Sequence, residues 1–148
     1  MTIVTKADSI LDIEREVRAL VHRVRRTSMD NAQLIHPELP ISAYAVLLFI
    51  LDNGPIRAQE IVDSLGVDKA TISRQIAQLE EIELVTRSCD PLDRRAQTVA
   101  LTADGQSRVD AVGRQRRSEF MSRLTGWSAA DLAQLAANLD RYNSSLGG

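Results

Sequence analysis

Apolar residues recur every three or four positions over several stretches of the chain, which places them on one face of a helix. The first stretch runs from Asp8 to Met29, with charged residues between the apolar ones. Asn31 to Pro40 contains two prolines and predicts a loop. Ala43 to Asp52 is apolar on nearly every side. We therefore expect a helix that follows a Ser42 cap and is buried on most of its surface.

The last third of the chain predicts two more helices, each with a thin apolar stripe. One runs from Ala103 to about Leu124 with Thr102 as its N-cap, and the other from Ala129 to about Asn143 with Ser128 as its N-cap. Long helices with so few apolar residues indicate packing against a second copy of the chain.

The middle of the chain predicts two short helices joined by a tight turn. Ala58 to Leu65 is helical and stops at Gly66, because glycine adopts the left-handed conformation at little cost. Val67 and Ile72 flank Asp68 at the spacing of a hydrophobic staple, so the second helix begins at Asp68. This pattern is typical of a helix-turn-helix.

Two β-prone runs follow, Leu84 to Cys89 and Thr98 to Thr102. The turn-rich segment Asp90 to Asp93 separates them and is followed by Arg94 and Arg95. The pattern predicts a β-hairpin with two arginines near its tip. A hairpin after a helix-turn-helix makes a winged helix, whose wing places cations near the DNA backbone or in the minor groove.

The helix from Asp68 has an apolar face, formed by Ile72, Ile76 and Leu79, and an opposite face of small and hydrogen-bonding residues. Small residues allow close approach to DNA, and Ser, Gln and Arg can donate to phosphates and base edges in the major groove. The candidate DNA-binding residues are Lys69, Ala70, Thr71, Ser73, Arg74, Gln75 and Gln78 on the helix, and Asp93, Arg94 and Arg95 in the wing.

Three motifs between Leu65 and Gly105 carry a family resemblance: LGV-x-x-x-T-x-S-R, D-P-x-D-R-R-A and V-x-L-T-x-x-G. Together they resemble the MarR (multiple antibiotic resistance regulator) family of bacterial winged-helix transcription factors. The resemblance implies an obligate homodimer, a recognition helix in the major groove and a small aromatic or anionic effector. It also implies a wing arginine held by an aspartate, which by position are Arg95 and Asp93. Glu83 stands where the family often has glycine.

The expected architecture is mainly α with a small β-hairpin wing (α+β), a winged helix-turn-helix with flanking dimerisation helices. We expect one domain at 1–148, a DNA-binding unit at 56–102, and dimerisation helices at 8–29 and 103–143. The two residues that open the DNA-binding unit could add a short strand beside the wing. The second of them, Arg57, stands where the family more often has a Ser or Thr cap.

The net charge is −2, and acidic residues outnumber basic ones even between Arg57 and Thr102. This charge argues against a nonspecific polyanion binder, which would be basic overall. DNA binding would instead depend on the local placement of the cations on the helix and in the wing. A run of arginines at 114–117 is more typical of a solvated helix face.

The sequence lacks the features that several other functional classes need. No run of 18 apolar residues and no secretion signal is present, so we expect a cytoplasmic protein without a membrane span. The single cysteine, Cys89, is expected to be a half-buried structural thiol. His22, His36 and Cys89 are too scattered for a metal site, and no cofactor is expected.

No nucleophile with a base, carboxylate pair or phosphate loop has usable spacing, so we do not expect an enzyme. The expected function is a ligand-responsive transcriptional regulator, a repressor, that binds an inverted-repeat operator in double-stranded DNA. Two alternatives remain open. One is a winged-helix module for protein contacts without DNA binding, and the other is a regulator that senses oxidants through its cysteine.

Overall fold

The computed structural model describes residues 4–147, and within that range it contains six helices and a three-stranded sheet. The helices are α1 Lys6–Ile35, α2 Ile41–Asn53, α3 Ala58–Leu65, α4 Lys69–Glu81, α5 Ala103–Arg123 and α6 Ala129–Leu146. The strands are β1 Ile56–Arg57, β2 Val85–Cys89 and β3 Gln97–Leu101. This architecture confirms the predicted fold class. The ends of the expected 1–148 domain, residues 1–3 and 148, lie outside the described residues.

α1 is longer than the sequence predicts and continues to Ile35. The loop predicted at Asn31 to Pro40 is therefore wrong over its first half. Asn31, Ala32 and Ile35 are buried at helical spacing, so packing holds this segment in the helix although its composition favours a loop. Within residues 4–147, none of the six helices is long and apolar enough to cross a membrane.

α2 begins at Ile41, with Pro40 as its N-cap residue and no side chain that caps it. The predicted Ser42 cap is wrong, because Ser42 lies inside the first turn of the helix. Pro40 holds the extended backbone that leads into the helix, with φ −67° and ψ 143°. As predicted, α2 is buried on most sides, and Leu47 and Ile50 are at most 1% exposed.

One hydrophobic core includes residues of α1 to α5 and of the sheet. Its largest fully buried side chains are Ile35, Leu47, Ile50, Ile61, Ile72, Ile76, Leu79, Leu84, Val46 and Val99. The compact unit that holds this core ends at Val112. Burial of so many apolar side chains stabilises the packing of α3, α4 and the sheet, which supply the candidate site.

The sheet has the strand order β1-β3-β2 and is antiparallel. β2 and β3 form the predicted hairpin, with a register that runs from Val85 opposite Leu101 to Cys89 opposite Gln97. β1 adds the expected short strand, with Arg57 opposite Thr98. This pairing brings the start of α3 next to the wing.

The chain leaves α4 through a Schellman motif. Ile82 is the C-cap, and Glu83 follows with a left-handed φ of +59°. The N–H of Leu84 donates to the carbonyl of Leu79 at 3.0 Å, and the N–H of Glu83 donates to the carbonyl of Glu80 at 2.9 Å. This motif ends the helix and turns the chain into the first wing strand.

The start of α5 lies against this turn. The Thr102 hydroxyl oxygen accepts the N–H of Gly105 at 2.9 Å, which confirms Thr102 as the predicted cap. The same hydroxyl donates to the carbonyl of Glu83 at 2.7 Å. A Cβ at position 105 would collide with the carbonyl oxygen of Leu84, so this close approach requires glycine.

A second compact unit begins at Gly113 and contains the rest of α5 and α6. Ser128 caps α6 as predicted, since its hydroxyl oxygen accepts the N–H of Asp131 at 3.1 Å. No described residue of α6 is buried. The exposed large apolar residues of this unit are Phe120, Met121, Trp127, Leu135, Leu139, Tyr142 and Leu146.

Candidate nucleic-acid interface

The turn before α4 places the start of this helix where the sequence predicts it. Gly66 is left-handed, with φ +63°, and Asp68 is the N-cap. The Asp68 carboxylate accepts the Thr71 hydroxyl at 2.6 Å and the Thr71 N–H at 2.9 Å. These two hydrogen bonds, the hydroxyl first, lower the pKa of Asp68 below its ordinary value. The carboxylate is therefore charged near the positive end of the helix, where it stabilises the helix start.

α4 buries one face and exposes the other. Ile72, Ile76 and Leu79 are each 0% exposed, which confirms the predicted inner face. Of the seven candidates on this helix, Lys69, Ala70, Ser73 and Arg74 are exposed, and Thr71, Gln75 and Gln78 are partly buried. The sequence therefore predicted which face of α4 is open to solvent.

Arg74 has the longest side chain on the outer face of α4. Its Nη2 lies 3.4 Å from the Thr71 hydroxyl oxygen, a weak contact. It belongs to none of the ion pairs formed among residues 4–147. The guanidinium can therefore donate to an acceptor outside the chain.

The wing turn presents Arg94 and Arg95, which are both exposed. Asp93 accepts the backbone N–H of Arg95 at 3.0 Å. Asp93 thus holds the main chain of Arg95, and among the described residues the guanidinium of Arg95 makes no ion pair. The charged end of this arginine remains available to a phosphate or a groove.

An ion pair at the start of the wing turn joins Arg57 to Asp90, and the sequence did not predict it. The Arg57 Nη2 and Nε lie 2.7 Å and 2.8 Å from the Asp90 Oδ2. The N–H of Leu92 donates to the other carboxylate oxygen at 2.8 Å. The Leu92 N–H and then the Arg57 guanidinium hold the pKa of Asp90 below its ordinary value. The same contact, together with the charge of Asp90, raises the pKa of Arg57.

A second ion pair joins α4 to the wing strand β2. The Arg87 Nε lies 2.6 Å from the Glu80 Oε1, and both side chains are about one third exposed. This contact offsets one of the three glutamate charges near the end of α4. Together with the pair at Arg57, it connects the wing to the helix-turn-helix at two places.

Cys89 is exposed, so the prediction of a half-buried thiol is wrong. It lies at the end of β2 opposite Gln97, and β2 is an edge strand of the sheet. The run of β-prone residues suggested a covered position, but the last residue of an edge strand has few neighbours. Within residues 4–147, no three His, Cys, Asp or Glu side chains gather as a metal ion would require.

The MarR family model matches residues 39–96, which include α2 to α4 and the wing turn. YxaD of Bacillus subtilis, described as an uncharacterized HTH-type transcriptional regulator, is 30% identical over 131 residues. That match covers 88% of this chain and 90% of YxaD. The HTH-type transcriptional repressor NicR of Pseudomonas putida is 33% identical over 103 residues, which are 68% of this chain and 65% of NicR.

Solved structures share the fold over almost the whole chain. RV1404 from Mycobacterium tuberculosis aligns with a TM-score of 0.80 and 24% identity over 100% of this chain and 99% of its own. A mutant of MepR from S. aureus, bound to an oligodeoxyribonucleotide, aligns with a TM-score of 0.63 and 20% identity. That alignment covers 90% of this chain and 97% of MepR.

Proposed function

The chain belongs to the MarR family of helix-turn-helix transcriptional regulators, and we propose that it is a ligand-responsive repressor that binds an inverted-repeat operator as a homodimer. The family consists of transcriptional regulators and not of enzymes. The name of the NicR relative describes a repressor, and the MepR structure contains DNA. Both support a DNA-binding repressor here.

The outer face of α4 is the observation that carries the proposal. On the opposite, inner face Ile72, Ile76 and Leu79 are fully buried, so the helix is fixed in the unit and cannot rotate to present another face. The exposed face carries Ser73 and Arg74 as donors and Ala70 as a small residue. A helix of this shape and chemistry fits the major groove, where donors read base edges and small side chains permit close approach.

The wing supplies the second part of the proposed interface. Arg94 and Arg95 are exposed on a turn whose main chain is held by Asp90 and Asp93. Arginines are attracted to the negative potential of a narrow minor groove. The wing would therefore contact the backbone or the minor groove beside the site read by α4.

A homodimer is supported by the apolar surface that the described helices leave uncovered. On α1 this surface includes Ile10, Leu11, Ile13, Leu20, Val21 and Val24, each more than half exposed. The second compact unit exposes Phe120 and Met121 to 62% each. Soluble monomers seldom expose apolar patches of this extent. We propose that a second copy of the chain covers the helices at 8–29 and 103–143.

The proposed response to an effector rests on the family resemblance alone. A small aromatic or anionic molecule would lower the affinity for the operator by binding better to a conformation that does not fit DNA. A band shift repeated with phenolic and carboxylate compounds would reveal such a ligand.

The experiment that tests the proposal starts from the full chain and a library of random 30-base-pair duplexes, about three helical turns long. Repeated binding and amplification should enrich an inverted repeat, and light scattering at micromolar concentration should give the mass of a dimer. Enrichment of no sequence would favour the alternative, a winged-helix module for protein contacts. A monomer mass would contradict the dimer even if DNA is bound.

A further inference from the structure

We propose that Arg57 is a positioning residue for the wing, which acts through Asp90 to fix the turn that presents Arg94 and Arg95. Arg57 is not among the candidate DNA-binding residues predicted from the sequence. Its effect on DNA rests on the proposed function, whereas its effect on the turn does not.

The first step is the contact between Arg57 and Asp90. The Asp90 side chain is only 11% exposed, whereas that of Arg57 is 41% exposed. A carboxylate with so little access to water needs charged or N–H donors in place of water. Arg57 brings its Nε and Nη2 within 2.8 Å of one oxygen, and the Leu92 N–H donates to the other. Without Arg57, one oxygen of a nearly buried carboxylate would lose its partner.

The second step leads from Asp90 to the tip of the wing. The Asp90 carbonyl accepts the N–H of Asp93 at 3.3 Å, and the Asp90 N–H donates to the carbonyl of Ala96 at 3.0 Å. Asp93 then accepts the N–H of Arg95 through its carboxylate. A continuous set of hydrogen bonds therefore runs from the guanidinium of Arg57 to the main chain of Arg95. A change in the position of Asp90 would be passed to the wing arginines.

The third step concerns the N-cap position of α3. Arg57 occupies the N-cap position of this helix, but its side chain makes no cap hydrogen bond. The Arg57 backbone N–H donates to the Glu60 carboxylate at 2.9 Å. A Ser or Thr at this position would cap α3 but would bring no charge to Asp90. The Arg57 side chain thus contacts the wing instead of capping the helix that follows it.

The other ion pair of the wing acts elsewhere. Arg87 lies within β2 and contacts Glu80 of α4, so it holds the strand and not the turn. The strands are also joined by the ladder between β2 and β3. Loss of Arg57 should therefore loosen the turn and leave the hairpin paired. This difference makes Arg87 a matched control.

The first experiment needs no DNA and measures amide hydrogen exchange in the wing turn. Arg57→Ala should speed the exchange of the Leu92 and Arg95 amides by about tenfold or more, because the turn opens more often. Arg57→Lys keeps one charge and should give an intermediate rate. Arg87→Ala should leave both amides protected as in the unmodified chain. Unchanged exchange in Arg57→Ala would overturn the proposal.

The second experiment separates positioning from direct contact with DNA. It uses a duplex enriched from the random library and a cycle of Arg57→Ala, Asp90→Asn and the double variant. Each single change should weaken binding by about fivefold, and the double variant should bind no more weakly than the weaker single variant. A further loss on adding Arg57→Ala to Asp90→Asn would mean that Arg57 contacts DNA itself, which would overturn the positioning role.

The two experiments also distinguish the failure of this inference from that of the proposed function. If the unmodified chain enriches no duplex, the DNA-binding proposal fails, and the exchange rates still decide whether Arg57 holds the turn. If DNA is bound, but Arg57→Ala leaves the exchange rates unchanged and the cycle shows no coupling between Arg57 and Asp90, only this inference fails.

Discussion

Two exposed arginines, Arg74 on α4 and Arg95 in the wing, should differ in what their loss does to DNA binding. Arg74→Ala should change sequence preference, with a loss of about 1 to 3 kcal/mol at one base pair, if the side chain makes a bidentate base contact. Arg95→Ala should weaken binding to all sequences and lower the slope of affinity against salt by about one, as the loss of a backbone cation would. Titrations of both variants at several salt concentrations would separate these effects.

The control for this comparison is Arg116→Ala, which removes an exposed arginine from α5. Its affinity should match that of the unmodified chain, because the run at 114–117 is expected to be a solvated face. An equal loss in all three variants would mean that only net charge matters. The assigned roles of α4 and the wing would then be wrong.

Glu83 occupies a backbone conformation that suits glycine better. Its φ of +59° places the side chain against its own carbonyl, at a cost of about 1 to 2 kcal/mol for a residue with a Cβ. Glu83→Gly removes this cost but adds freedom to the unfolded chain, so we expect a gain of about 0.5 to 1 kcal/mol in the free energy of unfolding. Urea denaturation would measure it.

The control is Glu81→Gly, two residues earlier in the chain and the last residue of α4. Glycine in a right-handed helix should lower stability by about 0.5 to 1 kcal/mol. If both glycine variants destabilise the protein equally, the strain assigned to Glu83 does not exist.

At the scale of residues, the sequence predicted the α4 part of the site better than the wing. The outward position of Arg74 follows from the helical spacing of Ile72, Ile76 and Leu79, which is local information. The pair between Arg57 and Asp90 joins residues 33 positions apart. It depends on the pairing of β1 with β3, which the sequence suggested without any indication of side-chain contacts.

At the scale of elements, the wing should be sensitive to acid through Asp90. Its pKa in the folded protein lies below the ordinary value of 3.8, so the charged form favours the folded state. This contribution is complete at pH values above about 5 and is lost as the pH falls through the lowered pKa. The difference in unfolding midpoint between the unmodified chain and Asp90→Asn should therefore be constant near neutral pH and shrink below pH 3.8.

Urea denaturation at a series of pH values would test this expectation. In the Arg57→Ala background the acid-sensitive part of the difference should become smaller, because one of the two main causes of the shift is removed. A difference that does not vary with pH would show that the charge of Asp90 does not stabilise the wing.

Three of the helix starts were predictable from a capping residue that acts locally, whereas the Ser42 cap predicted for α2 was wrong. Asp68, Thr102 and Ser128 cap their helices as expected, because a side-chain oxygen three residues before a free N–H is a short-range pattern. Asn31 to Ile35 was not predictable in this way, since its helical form depends on burial in the core. Tertiary packing decided the boundary there, against the composition of the segment.

At the scale of the whole molecule, the described residues leave long apolar helix faces exposed. The apolar stripes of α1 and of the second compact unit appear in the sequence as periodic patterns. In the structure of the single chain, the residues of these stripes are exposed. A sequence pattern reveals that a helix face is apolar, but not whether the same chain or a second copy covers it. The dimer therefore stays a proposal that solution mass must test.

Two-fold symmetry leads to the last prediction. A dimer presents two copies of α4 related by one axis, so it should bind two half-sites in inverted orientation. For both copies to enter successive major grooves on one side of the duplex, the half-site centres must be about 10 base pairs apart. Insertion of about 5 base pairs would move one half-site to the opposite side of the duplex, and binding should fall to the nonspecific level.

Band shifts on a series of spacer variants of one enriched duplex would measure this dependence. An insertion of about 10 base pairs should recover only part of the affinity, because a dimer joined by packed helices cannot lengthen by about 34 Å. A duplex with a single half-site should have an affinity as low as that of the variant with the 5-base-pair insertion. If affinity proved indifferent to spacer length, the two copies of α4 would not read DNA together. Each protomer would then bind independently, and the exposed apolar helices would require a different explanation.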